Sequence, residues 1–301
     1  MHQSDQGCLQ SQILAYSGSC SASDAISAQS VVKRATCFDT VVHDPETNTL
    51  RRSSVGPYAV RLREARERAD AVAGSRQHDE FVEVVRRETP WRFKGEKGLD
   101  RYLHNVRHHL SHFAPLALSC VDDDIRTVFD FGCGSGSGSI ALALIFSDIR
   151  CQGVDISPAE VTIGRERAKL FGVGDRCQFD CISPRQALPV PSDAFDLCTC
   201  CSVLEYVTDP GIRKFCVQEM ARVLVPGGRL FMSVPNRLYP IELHSHKLGW
   251  NYFPKLLKAR IVGATAWEVM RLAHPHVLKL CSTPLRRLLT PWSNFCLRKE
   301  R

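Results

Sequence analysis

Thr127-Val128-Phe129-Asp130-Phe131-Gly132-Cys133-Gly134-Ser135-Gly136-Ser137-Gly138-Ser139 decides how the rest of the chain is read. An apolar, β-rich run passes straight into a glycine-rich turn, and a helical pattern follows it. Glycines in such a turn allow positive φ and let a ligand approach the backbone without meeting a Cβ. Outward from the turn, two textures alternate. Strands are predicted at Arg126–Phe131, Arg150–Asp155, Cys177–Cys181, Phe195–Ser202 and Arg229–Val234, and helices at Ser139–Phe146, Pro158–Phe171 and Pro210–Leu224. That alternation implies parallel strands with right-handed crossovers, hence a doubly wound, Rossmann-like α/β sheet.

The turn sits at the carboxyl end of its strand, where ligands bind in such sheets. A dinucleotide fingerprint counted from Gly132 needs glycine or alanine where Ser137 stands, and counted from Gly134 it needs one where Ser139 stands, so it fails in both registers. No Gly-Lys-Ser/Thr follows, so a P-loop fails too. Asp130 fits a third possibility. An acid beside the loop accepts loop hydrogen bonds and faces a cationic ligand end, whereas it would repel a pyrophosphate. Asp155, 23 residues after Gly132, stands at the tip of the second strand, placed to accept both hydroxyls of a ribose. Asp180 at the third tip offers a carboxylate to an adenine amino group, with Ile156 and Cys181 flanking the ring. Cys201 ends the fourth strand. The candidate cofactor set is therefore Asp130, Gly132, Cys133, Gly134, Gly136, Asp155, Ile156, Asp180, Cys181 and Cys201.

These segments resemble the class I S-adenosylmethionine-dependent methyltransferases. Asp130–Gly136 is similar to their first motif and Gly153-Val154-Asp155-Ile156-Ser157 to their second. Leu188-Pro189 with Phe195-Asp196-Leu197 resembles the approach to their fourth strand. Cys201-Ser202-Val203-Leu204-Glu205-Tyr206-Val207 is similar to the stretch that often ends Leu-Glu-His, and Arg222–Leu230 to the turn before the fifth strand. The resemblance covers 122–238 firmly and the rest loosely, with Asn294–Arg298 as a last strand. It implies a seven-stranded, mostly parallel sheet with the seventh strand antiparallel, S-adenosylmethionine as methyl donor, and a small-molecule acceptor. O-methylation is slightly favoured. A nicotinamide-dependent oxidoreductase and a catalytically inactive partner subunit of the same fold stand as alternatives.

Methyl transfer is an in-line displacement helped by positioning and desolvation, and an oxygen acceptor gains from a base. His244 and His246, in the loop after the fifth strand, are the candidates for that base. Ahead of the α/β part, residues 1–60 are polar and read as a poorly ordered segment with a short strand or turn at most. Residues 61–121 read as a helical extension or lid: Arg61–Ala73, Asp79–Arg87, and one amphipathic helix over Leu99–Leu118. His104, His108, His109 and His112 fall mainly off its apolar face and are expected to be solvated. The methyltransferase-like domain is expected over 122–301.

The 14 cysteines lie largely in strand-like segments, and a small secreted disulfide scaffold does not fit a chain of 301 residues. Cys198 and Cys201 form a C-x-x-C, but on a strand they point to opposite faces, so no metal site is expected. The net charge of +7 resides in 241–301, with eleven Lys/Arg against three Asp/Glu. A solvated basic surface, an anionic acceptor, or contact of 250–260 with an anionic membrane surface each account for it. No nucleic-acid module is present. No apolar run is long enough to span a bilayer and no export pattern opens the chain, so a cytoplasmic address is expected.

Overall fold

The central strands of the α/β part, Thr127–Phe131 and Phe195–Cys201, are buried on both faces and read as near-continuous apolar runs. The computed structural model describes residues 41–43, 50–52, 58–72, 75–90, 96–120, 124–241, 262–282 and 290–301. Two short strands, β1 (Val41–His43) and β2 (Leu50–Arg52), pair antiparallel. The rest of 1–57, and with it most of the poorly ordered segment expected there, lies outside the described residues. Next come helices α1 (Ala59–Val72), α2 (Arg76–Glu88), α3 (Glu96–Leu103), α4 (Asn105–His112) and α5 (Ala114–Ala117).

The sheet strands are β3 (Thr127–Phe131), β4 (Arg150–Asp155), β5 (Cys177–Cys181), β6 (Phe195–Cys201), β7 (Leu224–Pro235), β8 (Leu278–Ser282) and β9 (Trp292–Lys299). Helices α6 (Ser137–Ile145), α7 (Pro158–Leu170) and α8 (Pro210–Val223) make the crossovers, and α9 (Ala266–Leu272) precedes β8. Side-chain caps start three of these helices: Ser157 Oγ accepts from the Glu160 amide, Asp209 Oδ1 from Ile212, and Thr265 Oγ1 from Glu268. Strand order is β5-β4-β3-β6-β7-β9-β8, with β9 antiparallel to both neighbours. The expected seven-stranded doubly wound sheet is thus the observed one.

Alternation along the strands divides the core in two. Val128, Leu197, Phe231 and Cys296 face α1, α4 and α6, while Phe129, Cys198, Leu230 and Leu297 face α8 and α9. Cys198 and Cys201 do fall on opposite faces. The single helix expected over 99–118 is instead broken at His104 and again at Phe113. The break lets Leu99 and Tyr102 pack on α2 and α7 while Val106 and Leu110 pack on the main sheet core. One straight helix could not serve both surfaces.

Candidate functional site

Three strand tips and the turns that follow them converge on a cavity of about 1300 Å³. The glycine loop after β3 forms one wall, held by backbone bonds from Gly132 and Cys133 to the Val154 carbonyl at 2.8 and 3.0 Å. Asp155, at the tip of β4, joins it. Its Oδ2 accepts from the Gly134 amide at 2.8 Å and its Oδ1 from the Ser157 amide at 2.9 Å. The acid therefore shapes the loop as well as facing the cavity.

Of the residues singled out from the sequence, Asp130, Gly132, Cys133, Gly134, Asp155, Ile156 and Cys201 line this cavity. Gly136, Asp180 and Cys181 do not. Gly136 turns toward the core, where an added Cβ would lie 2.5 Å from the Phe179 ring. Asp180 pairs with Arg165 at 3.3 Å, and Cys181 is exposed. The wall at that end comes instead from the next residues, Ile182 to Gln186. His244 and His246, like the 250–260 segment, lie outside the described residues. The described part of their loop, 235–241, adds nothing to the cavity wall. Among the described residues no cluster of His, Cys, Asp or Glu is suited to a metal.

The reason for the glycines also needs correcting. A Cβ on Gly132 would lie 2.3 Å from Val203 Cγ2, so Gly132 and Gly136 are required by protein packing. Only Gly134, at φ +51°, would meet nothing closer than Glu160 Oε2 at 4.0 Å. The space kept free for a ligand is at Gly134. Asp130 differs too: its oxygens accept from the Ser139 and Thr199 hydroxyls at 2.7 and 2.8 Å. Burial pushes its carboxyl up against the pull of those two hydrogen bonds.

Several groups were not legible as site residues. His109 is the sharpest correction to the solvated reading. His108 and His112 are exposed and stack on each other, but His109 lines the cavity. Its Nδ1 is sealed from solvent without a hydrogen-bond partner, and burial, with nearby cationic groups, drives its pKa down to about 3. Asn105, Tyr102 and Phe113 of the helical extension also line the cavity, as does Tyr206, where the resembling motif often has His. Ser202, at the tip of β6, holds φ 56°, a left-handed conformation uncommon for a side-chain-bearing residue and frequent at functional sites. Glu205, just beyond, is fully buried, with neither carboxyl oxygen hydrogen-bonded. Burial raises its pKa to about 8, so it is protonated at neutral pH.

Residues 128–228, which supply most of this site, match the family model described as a methyltransferase domain. That stretch of the α/β domain is thus similar to S-adenosylmethionine-dependent methyltransferase domains. Among curated relatives, a ubiquinone biosynthesis O-methyltransferase of Aromatoleum aromaticum is 32% identical over 49% of this chain and 62% of that protein. Another protein of that name, from Idiomarina loihiensis, is 33% identical over 42% of this chain and 51% of that one. An ajmaline N-methyltransferase of Rauvolfia serpentina is 33% identical over 36% and 35%. The chain thus spans about a third to three-fifths of the lengths of these relatives. A solved S-adenosylmethionine-dependent methyltransferase from Methanosarcina mazei superposes with a TM-score of 0.49 at 18% identity, over 62% of this chain and 97% of that one.

Proposed function

We propose that the chain transfers a methyl group from S-adenosylmethionine to a small-molecule acceptor, with an oxygen acceptor favoured over nitrogen. The observation that carries this is the cavity itself. Asp155, the open face at Gly134 and the β6 tip at Cys201–Val203 gather at one end of the sheet, within the stretch that matches the methyltransferase domain. The preference for oxygen follows the two ubiquinone O-methyltransferases among the relatives, against the one N-methyltransferase.

When bound, the donor supplies an electrophilic methyl on a sulfonium. The protein's part is to orient the two reactants and exclude water. Asp155 holds the ribose, with Ile156 against the adenine. Phe113 and Val203 give the cavity apolar surface, which desolvates the reacting centre. An oxygen acceptor must also lose a proton. His109, neutral with a pKa of about 3, is too weak a base for that at neutral pH and serves as a hydrogen-bonding group. His244 or His246 is the candidate for the proton acceptor, and the basic 241–301 segment for binding an anionic or lipid-like acceptor.

Incubation of the full chain with methyl-labelled donor and separate aqueous and organic extracts of the source cells tests this reading. Label should enter a small molecule in one of the two fractions. Labelling of neither, by protein that binds the donor, would favour an inactive partner subunit. Failure to bind either S-adenosylmethionine or S-adenosylhomocysteine would remove the reading altogether.

A further inference from the structure

The register of β8 against β9 slips at one point. It runs Leu278↔Lys299, Lys279↔Arg298 and Leu280↔Leu297, and then Ser282↔Cys296, so Cys281 is one residue more than the partner strand matches. Cys281 and Ser282 thus stand opposite Cys296 together. β8 is an outer strand of the sheet, and Cys281 is exposed on it. Cys296 is buried in the core that the sheet shares with α1, α4 and α6, as is Cys120 at the end of the helical extension. The Cys296 thiol makes side-chain hydrogen bonds with both Cys120 and Cys281. Three thiols therefore run inward from the surface in contact.

Facing Cα atoms on adjacent antiparallel strands lie about 4.5–5.5 Å apart, within the about 4.4–6.8 Å that a disulfide spans. An oxidant arriving from solvent meets Cys281 first. The two neighbouring thiols and burial push the Cys296 thiol up, which makes it a poor target for the oxidant itself. It is nonetheless within reach of a sulfur oxidised beside it. Cys181, exposed on the opposite edge strand β5, interacts electrostatically with Asp155 and Arg165 and provides an internal comparison.

We propose that Cys281 and Cys296 form a peroxide-responsive modification site, which closes to a disulfide between the edge strand and β9. The Cys281 thiolate attacks one oxygen of hydrogen peroxide and breaks the O–O bond. The sulfur gives up two electrons and becomes a sulfenic acid, and the departing hydroxide takes up a proton to leave as water. The Cys296 sulfur then attacks the Cys281 sulfur. The S–S bond forms as the S–O bond breaks, and the Cys296 proton leaves with the hydroxide as a second water. Cys120, sealed from solvent, takes no part in this first bond.

Trypsin separates the three thiols, leaving Cys120 in 108–126, Cys281 in 280–286 and Cys296 in 288–298. The test treats the folded, reduced full chain with hydrogen peroxide, alkylates the remaining thiols, and reads the digest by mass spectrometry without reductant. Peptides 280–286 and 288–298 should be found joined, and dithiothreitol should separate them. Cys181 should be oxidised without a crosslink. Cys281→Ser, a surface change, should leave 288–298 free of any disulfide, and Cys120→Ala should leave the 281–296 crosslink in place. In Cys296→Ala protein a dimedone adduct should build up on Cys281, as expected of a sulfenic acid with nothing to resolve it. Absence of the joined peptides in folded wild type would overturn the proposal. So would a crosslink from 288–298 to 108–126 as the main product, or one that forms in Cys281→Ser.

Discussion

Gly132, Gly134 and Gly136 all hold positive φ, yet they answer to different demands. Gly136→Ala forces a Cβ into Phe179 in a left-handed backbone, two costs of about 1–3 kcal/mol each. Gly134→Ala meets only the conformational cost of about 1–2 kcal/mol, since nothing blocks its Cβ. Thermal melts should therefore show Gly136→Ala much the less stable of the two. Calorimetry should show that folded Gly134→Ala protein has lost most of its affinity for S-adenosylmethionine; unchanged affinity would take Gly134 out of the site. Asp155→Asn separates the two duties of that side chain. The amide keeps one acceptor oxygen but puts a donor where a second backbone or ribose donor points, costing about 1–3 kcal/mol, or roughly 5- to 150-fold in affinity. A dissociation constant equal to the parent's would mean that the second motif does not hold the ribose. The sequence pattern marked this loop as a candidate ligand site, because glycine spacing and strand-tip acids are local features. It did not show which glycine is kept for the ligand, because Val203 and Phe179 meet the loop only in three dimensions.

At the scale of elements, a helix packed on all sides needs its last carbonyls satisfied from elsewhere. α6 is buried along its whole length. Arg176, arriving just before β5, donates to the Ala143 and Phe146 carbonyls, each at 3.0 Å, and to Ile149 at 3.4 Å. Arg176→Ala leaves those carbonyls short of a charged donor, and should destabilise the domain by about 1–3 kcal/mol. Arg176→Lys, with one donor head in place of a fork, should recover only part of that in urea unfolding. Full stability in the alanine variant would mean that water replaces the guanidinium there. The sheet strands were readable to within a residue or two at β3, β4, β5 and β6: burial on both faces writes a nearly continuous apolar run at β3 and β6, while β4 and the edge strand β5 alternate buried with exposed or half-buried residues. The helix broken at His104 was not readable. Its apolar spacing is continuous in sequence, and the break comes from two separate surfaces that it has to cover.

Across the whole molecule, Leu62 and Ala65 of α1 and Val106 and Leu110 of α4 share one core with Val128 and Phe231 of the sheet. We propose that the helical extension is a structural layer as much as a lid, and a chain beginning at residue 122 should fail to fold to a soluble form. The stability of the intact molecule should also depend on pH through two buried groups of opposite sign. Folded His109 has a pKa of about 3 against an ordinary 6.5, so below pH 6.5 the unfolded chain takes up a proton that the folded one refuses. Its contribution is complete above pH 6.5 and is lost as pH falls toward 3. Folded Glu205 has a pKa of about 8 against an ordinary 4.5, and keeps a proton that the unfolded chain gives up. Its contribution is lost as pH rises from 4.5 to 8. Where the windows overlap, from 4.5 to 6.5, the two slopes oppose each other. Between pH 6.5 and 8 only the Glu205 slope remains, at up to about 1.4 kcal/mol per pH unit. Urea unfolding should therefore show the wild type losing roughly 2 kcal/mol from pH 6.5 to 8, and Glu205→Gln, which cannot ionise, losing little. Equal losses in the two proteins would mean that Glu205 is ionised in the native state, with Arg213 holding its charge.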